Sequence, residues 1–380
     1  MANTLTNLIP TLYQAIDIVS REITGFIPAV KVNASAEGAA VDESIRVPVT
    51  GQTQTYNVSP GTTAPDNGDQ TIDNVEIKIT KSKMVPIRWN GEEQLGFSNN
   101  GTYNKVLSDQ MVQAMRLLVN EVEADIAGTY KSASRAYGTA GTTPFASSLG
   151  DAAQARKMLL DNGAPMVDLQ LVVDSVAGAN LRSLTHLTHA NEAGTDATLR
   201  RGTLLDLMGF AVRESAQVAS HTAGSATGTV TVNNASNYGK GATSIAWDTA
   251  TAAALKAGDV LTFGTDTNKY ILSADNTATP LVLNKPGLVK GVNDNTAVAI
   301  GNGYTANLAF HRDAIQLVTR APAMPNGGDM ADDVMSITDP VSGLSFQVAV
   351  YREYHRVKFE IGLAWGVKLI KPEHAVILLG

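Results

Sequence analysis

Between residues 103 and 136, Leu107, Met111, Met115, Leu118, Val122 and Ile126 recur at spacings of three and four, so their side chains share one stripe of one helix. The pattern predicts a helix over the whole run, about 50 Å long at 1.5 Å per residue and well beyond the usual three or four turns. Lys105, Asp109, Gln113, Arg116, Asn120, Glu123 and Lys131 fall on the other face. That helix is therefore half buried and unfit to span a bilayer. A rod of this length sets the long dimension of whatever packs on it.

The chain around it is long enough, at 380 residues and 44% hydrophobic content, for two or three cores. Its formal charge is −7, with no block of like charges, so the footprint of tight phosphate-backbone binding is missing. Cysteine is absent, which excludes disulfides, thiolate zinc sites and cysteine nucleophiles. The charged fraction, 17%, is compatible with a surface largely covered by neighbouring copies. No stretch reaches the roughly 18 apolar residues of a membrane span, and residues 1–21 do not read as an export signal.

Ile9, Leu12, Tyr13, Ile16, Val19 and Ile23 repeat at helical spacing around Pro10 and predict an amphipathic N-terminal arm. Residues 44–49 read as a strand, and 51–73 as a long exposed loop rich in Gly, Thr, Pro, Asn and Asp. Val75, Ile77 and Ile79 then alternate with Glu76 and Lys78, a returning half-exposed strand. Together these make an extended hairpin with too little core of its own, expected to lean on another subunit. After the long helix, 152–160 reads as a helix ended by Asn162-Gly163, 169–173 as a strand and 175–186 as a helix, the signature of a mixed sheet layered with helices.

From 221 to 303 the composition shifts to Thr, Gly, Asn, Ala and Val, with short strands expected at 229–232, 260–263, 269–272, 281–283 and 297–300. This reads as a small all-β module inserted into the chain. Beyond it, 314–318, 345–351, 356–361 and 367–369 read as antiparallel strands that close the main sheet, with a loop through 321–329.

Reactive constellations are scarce. His186 and His189 have the spacing of two metal ligands on one helix face, with Glu192 downstream, but no HExxH pattern is present and polar surface histidines are the better reading. Gly239-Lys240-Gly241-Ala242-Thr243-Ser244 lacks the earlier glycine and the hydroxyl directly after lysine that a phosphate loop needs, and reads as a turn. Gly301-Asn302-Gly303 lacks the third glycine of a dinucleotide fingerprint, and no G-x-S-x-G elbow occurs. Asp329, Asp332 and Asp333 read as a solvated acidic loop without calcium-loop spacing. No catalytic, cofactor-binding or metal-ligating residue is expected.

Three stretches carry a family likeness: Gly202-Thr203-Leu204-Leu205-Asp206-Leu207-Met208-Gly209-Phe210-Ala211-Val212 with Ser215 after it; Leu255-Lys256-Ala257-Gly258-Asp259-Val260-Leu261-Thr262-Phe263; and Asn307-Leu308-Ala309-Phe310-His311-Arg312-Asp313-Ala314-Ile315 with Trp365-Gly366-Val367-Lys368-Leu369-Ile370-Lys371-Pro372-Glu373. In this order, with the arm, hairpin and long helix ahead of them, the chain resembles the major capsid proteins of tailed bacteriophages, the Hong Kong-phage-type fold. More narrowly, it is similar to coat proteins of short-tailed phages that carry an insertion domain.

The resemblance implies an α+β fold with an N-terminal arm (1–43), an extended hairpin (44–90), a peripheral domain with a spine helix (91–150), an axial domain (151–220), an inserted β-domain (221–303), an axial return (304–331) and a peripheral sheet (332–380). It also implies a structural protein rather than an enzyme, one that assembles as pentamers and hexamers into an icosahedral shell around double-stranded DNA. The shell would form in the host cytoplasm and end in the virion. The implied partners are further copies, a separate scaffolding protein, a portal protein, a decoration protein and loosely contacted packaged DNA, with no membrane and no cofactor. Lys78, Lys81 and Lys83 on the hairpin's return are the expected inter-subunit contacts, paired with the acidic Asp329, Asp332 and Asp333. A cellular nanocompartment shell shares the fold and is the rival reading, with an enzyme the alternative of a different class.

Overall fold

The long helix runs from Tyr103–Ala127, about 37 Å, and all six apolar positions of its stripe are buried. It stops short of residue 136 because Gly128, a poor helix former, opens a 3₁₀ turn over Gly128–Ser132. There Thr129 Oγ1 donates to the Ile126 carbonyl at 2.7 Å. The residues that follow, Arg135–Tyr137, form a strand. One residue of the expected polar face, Glu123, is fully buried.

The computed structural model describes residues 25–50, 55–58, 60–62, 72–99, 103–184, 206–226, 229–249, 253–276, 279–338 and 344–380. The apolar stripe of residues 9–23, most of the loop 51–73, His186, His189, Glu192 and residues 201–205 lie outside them.

Two sheets organise the chain. The six-stranded one has the order Lys31–Ala39, Ile315–Pro322, Arg356–Leu369, Ser345–Glu353, Asp333–Thr338, with Lys81–Asn90 on the other flank of Arg356–Leu369. That central strand is a single 14-residue piece, where the sequence suggested two. Gly362 and Gly366 interrupt its apolar pattern without ending it, because pairing is continuous: Ser345–Glu353 and then Ile315–Pro322 line one edge, and Lys81–Asn90 follows the other from Trp365↔Lys81 to Arg356↔Asn90. The long helix packs on this sheet, burying Trp365, Phe346, Ile361 and Leu363 beneath its own stripe.

The nine-stranded sheet runs Val298–Ile300, Val260–Phe263, Lys269–Ile271, Arg135–Tyr137, Ala375–Leu379, Tyr304–His311, Leu169–Val173, Phe210–Glu214, and Ser220–His221 also pairs with Tyr304–His311. Helices Gly150–Asp161 and Ser175–Ser183 cover a core of Leu159, Leu171, Val173, Phe210 and Leu378. Asp174 caps the second helix, its side chain accepting from the Ala177 amide at 3.0 Å.

The β-rich segment after residue 221 has its own core, with Val232, Ile245, Leu261, Phe263 and Leu281 among its members. Six of its strands pair off in three two-stranded sheets of their own, but the segment is not detached from the main sheets. Lys269–Ile271 pairs with Arg135–Tyr137, so three of the segment's strands prolong the nine-stranded sheet. The chain passes from that sheet to the six-stranded one at Arg312–Ala314, and Ala375–Leu379 returns to it, so neither 304–331 nor 332–380 keeps to one sheet. Lys31–Ala39 pairs parallel with Ile315–Pro322, and the stretch expected as arm is thus partly sheet.

Candidate assembly surfaces

Ser44–Thr50 and Ile72–Lys78 pair in antiparallel register from Ser44↔Lys78 to Thr50↔Ile72. The base of this hairpin is built into the body. Ile77 is fully buried against Val318 and Ile370, with Ile45, Val47, Val49 and Val75 packed around it. Lys368 Nζ donates to the Glu76 carbonyl at 2.9 Å, and Arg46 pairs across the strands with Glu76 at 3.1 Å. The backbone at Gly366 lies so close to the Lys78 carbonyl that any Cβ there would overlap it. Among the described residues toward the far end, Ile72 is 67% exposed, and Tyr56 and Val58 of the connecting loop are 57% and 98% exposed. Apolar groups held out on a rigid base are available to another surface.

Of the expected contact residues, Lys78 closes the returning strand and is exposed, with no ion pair among the described residues. Lys81 and Lys83 sit on the next strand, Lys81–Asn90, and reach the long helix of the same chain. Lys81 Nζ meets Asp125 Oδ1 at 2.7 Å and Lys83 Nζ meets Glu121 Oε1 at 2.8 Å. The other oxygen of Asp125 accepts from Trp365 Nε1 at 2.7 Å, and the Lys81 ammonium lies 5.9 Å from that indole ring.

Asp329 and Asp332 are also engaged locally. Tyr351 Oη donates to Asp329 Oδ2 at 2.6 Å and the Ala331 amide to Oδ1 at 2.9 Å, while Arg352 Nε pairs with Asp332 Oδ2 at 2.6 Å. The Tyr351 bond, then the Ala331 amide, hold the Asp329 carboxyl below its usual value, and the same bond pushes the Tyr351 hydroxyl up to about 12. Asp333 opens the Asp333–Thr338 strand, so the acidic cluster straddles a loop and a strand. None of the three lysines meets any of the three aspartates within the chain among the described residues.

A second surface lies where the Lys81–Asn90 strand leaves its outer edge without a ladder partner among the described residues. Pro86 removes one amide from that edge. Between the strand and the long helix runs a groove of about 580 Å³ lined by Val85, Ile87, Val106, Ala114 and Leu117, with Met84 and Leu117 more than half exposed.

Two buried polar junctions hold these surfaces in place, and hydrophobic periodicity has no means of finding either. Glu123 accepts from the Phe26 and Ile27 amides at 2.8–2.9 Å and from Ser215 Oγ at 2.9 Å. Burial pushes its carboxyl up, and these donors pull part of the way back. Tyr130 Oη lies 2.8 Å from His221 Nδ1, and His221 Nε2 lies 2.8 Å from Asp259 Oδ1. The Gly224 and Lys256 amides donate to the same carboxylate at 2.9 and 2.7 Å. A Tyr-His-Asp chain has the chemistry of a proton relay, but with side-chain exposures of 3% for His221 and 0% for Asp259 it offers no access to a substrate. It joins the 3₁₀ turn after the long helix to the β-rich segment.

Among the described residues no cluster of metal-ligating side chains occurs, and no helix is long and apolar enough to cross a membrane.

No family model and no curated protein matches the sequence. Among solved structures, the chain is similar to the asymmetric unit of the bacteriophage PhiM1 mature capsid, at 12% identity and a TM-score of 0.46 over 94% of this chain and 87% of that one. It is similar to the capsid structure of the cyanophage P-SCSP1u, at 13% identity and a TM-score of 0.45 over 94% and 88% of the two chains. It is also similar to a virus-like particle from Pyrococcus furiosus, at 11% identity and a TM-score of 0.42 over 97% of each chain.

Proposed function

We propose that this chain is a coat protein of the tailed-phage type, assembling with copies of itself into a closed icosahedral shell around double-stranded DNA. The observation that carries this reading is the hairpin of Ser44–Thr50 and Ile72–Lys78, locked at its base by Ile77 and the Gly366 contact and with exposed apolar residues toward its far end. A closed shell repeats each contact many times, so a modest hairpin contact suffices to hold it.

In this reading the six-stranded sheet and the long helix form the peripheral unit, and the nine-stranded sheet with its two helices forms the axial unit around capsomer centres. Residues 221–303 are the insertion. The side chains of Lys78 and Asp333 form no ion pair among the described residues and are the two candidates left to pair between copies, whereas Lys81 and Lys83 brace the subunit. The acidic balance of the chain suits DNA that must be packed and released rather than gripped. A scaffolding protein, a portal and a decoration protein are the further partners this reading calls for.

The test is to express the full chain alone and with a candidate scaffolding protein, size the products and image them by electron microscopy. Closed shells of uniform diameter are expected. A protein that stays monomeric or a small oligomer in both conditions overturns the reading.

A further inference from the structure

A cleft of about 300 Å³ opens where helix Gly150–Asp161, strand Arg135–Tyr137 and the turn before Lys269–Ile271 meet. Arg135, Lys157 and Lys269 line it with Gln154, Asn268 and Asp161, three cations against one carboxylate. Arg135 is 2% exposed. Its Nη2 donates to the Met158 carbonyl at 3.0 Å and to Asn162 Oδ1 at 2.8 Å, while Nη1 reaches Asn268 Oδ1 at 3.5 Å. Its Nε is buried without an acceptor. The Lys269 ammonium is bonded to the Gly138 carbonyl, a neutral acceptor.

No carboxylate forms an ion pair with any of the three cations among the described residues. Asp161 and Asp266 act on Arg135 from further off, and Asp266 is already engaged by Tyr270 Oη at 2.7 Å. Burial outweighs their attraction and lowers the proton affinity of Arg135, and it lowers that of Lys269 unopposed. A buried guanidinium and a partly buried ammonium bonded to neutral groups carry a desolvation cost that an added anion would offset.

We propose that this cleft binds a small oxyanion, inorganic phosphate being the simplest, held by Arg135, Lys157 and Lys269 with the side-chain amide of Gln154 as a further donor. At about 30 Å³ per water, the space is equivalent to roughly ten waters, enough for the ion with part of its hydration. The inference stands on these side chains and is independent of the shell reading. Bound there, the ion braces the join between the β-rich segment and the rest of the nine-stranded sheet.

The probe is inorganic phosphate titrated into the full chain at constant ionic strength in chloride, followed by phosphorus NMR line broadening and by thermal unfolding. Saturable broadening and a matching rise in melting temperature are expected. Lys157→Glu changes an exposed residue and should weaken binding by about tenfold or more, with Lys157→Gln intermediate. Lys240→Glu makes the same charge change on an exposed turn outside the cleft and should leave binding unaltered. Broadening that does not saturate, or that Lys157→Glu and Lys240→Glu weaken alike, overturns the site. So does a rise in melting temperature without broadening, the general effect of an excluded salt.

Discussion

Glu123 ties three separate stretches together: the long helix, the segment at Phe26 and Ile27, and Ser215 after the Phe210–Glu214 strand. Replacing it by alanine leaves buried donors unanswered, at a cost of about 3–5 kcal/mol. Glu123→Gln keeps one accepting oxygen and should recover part of this. Urea unfolding of both variants checks the order, and an alanine variant within about 1 kcal/mol of the parent would remove Glu123 from this role. Asp259 makes a pH-dependent contribution. Burial alone would raise its carboxyl, but the bonds from His221, Lys256 and Gly224 overcome burial and hold it below the usual 3.8. A depressed folded-state value means that the stabilisation is present above pH 3.8 and is lost as pH falls through the folded value. The stability gap between the parent and Asp259→Asn should therefore narrow on acidification below that pH, and a gap that widens there refutes the assignment.

At the scale of elements, the hairpin depends on a glycine at its base. Gly366→Ala must displace the Lys78 carbonyl, with an expected cost of about 1–3 kcal/mol. Hydrogen exchange should quicken at Ile77 and Ile79 and stay unchanged in the long helix; uniform protection would show that the close approach is slack. The edge strand depends on the helix through Asp125. Lys81→Ala removes a half-exposed ion pair and should cost under about 1 kcal/mol. Asp125→Ala also strands the indole N–H of buried Trp365 and should cost about 1–3 kcal/mol. Equal losses would mean the Trp365 bond contributes nothing.

The same elements show what a sequence can reveal. The helix stripe was legible because six buried side chains repeat at one period, and the strands at 260–263 and 269–271 because short apolar runs sit between turn residues. Arg135–Tyr137 was not, since three residues are too few to show a period of their own at the end of a run read as helix. Ala375–Leu379, buried at every position, shows no alternation to read. Lys81 and Lys83 were expected to reach another copy; the partners they meet within the chain lie 44 and 38 residues away on another element, where no local pattern can find them.

In the whole molecule, three strands of the β-rich segment belong to the nine-stranded sheet, so the segment cannot be trimmed off cleanly. Deleting residues 222–302 strips one of the two partner strands from Arg135–Tyr137 and takes Val260 and Ile271 out of the main core. Loss of soluble, cooperatively unfolding protein is expected from expression yield and circular dichroism, and a soluble two-state product would show the segment to be dispensable for folding of the rest. The central place of Ala375–Leu379, between Arg135–Tyr137 and Tyr304–His311, bears on how the chain is made. Ser134 Oγ donates to the Ala375 carbonyl across 241 residues of sequence. At about 5–20 residues per second, the ribosome needs roughly ten to fifty seconds to supply that neighbour. Until then the sheet stands open at its middle and a chaperone has exposed strand edges to hold. A fragment that lacks residues 375–379 therefore has no finished sheet to offer another copy.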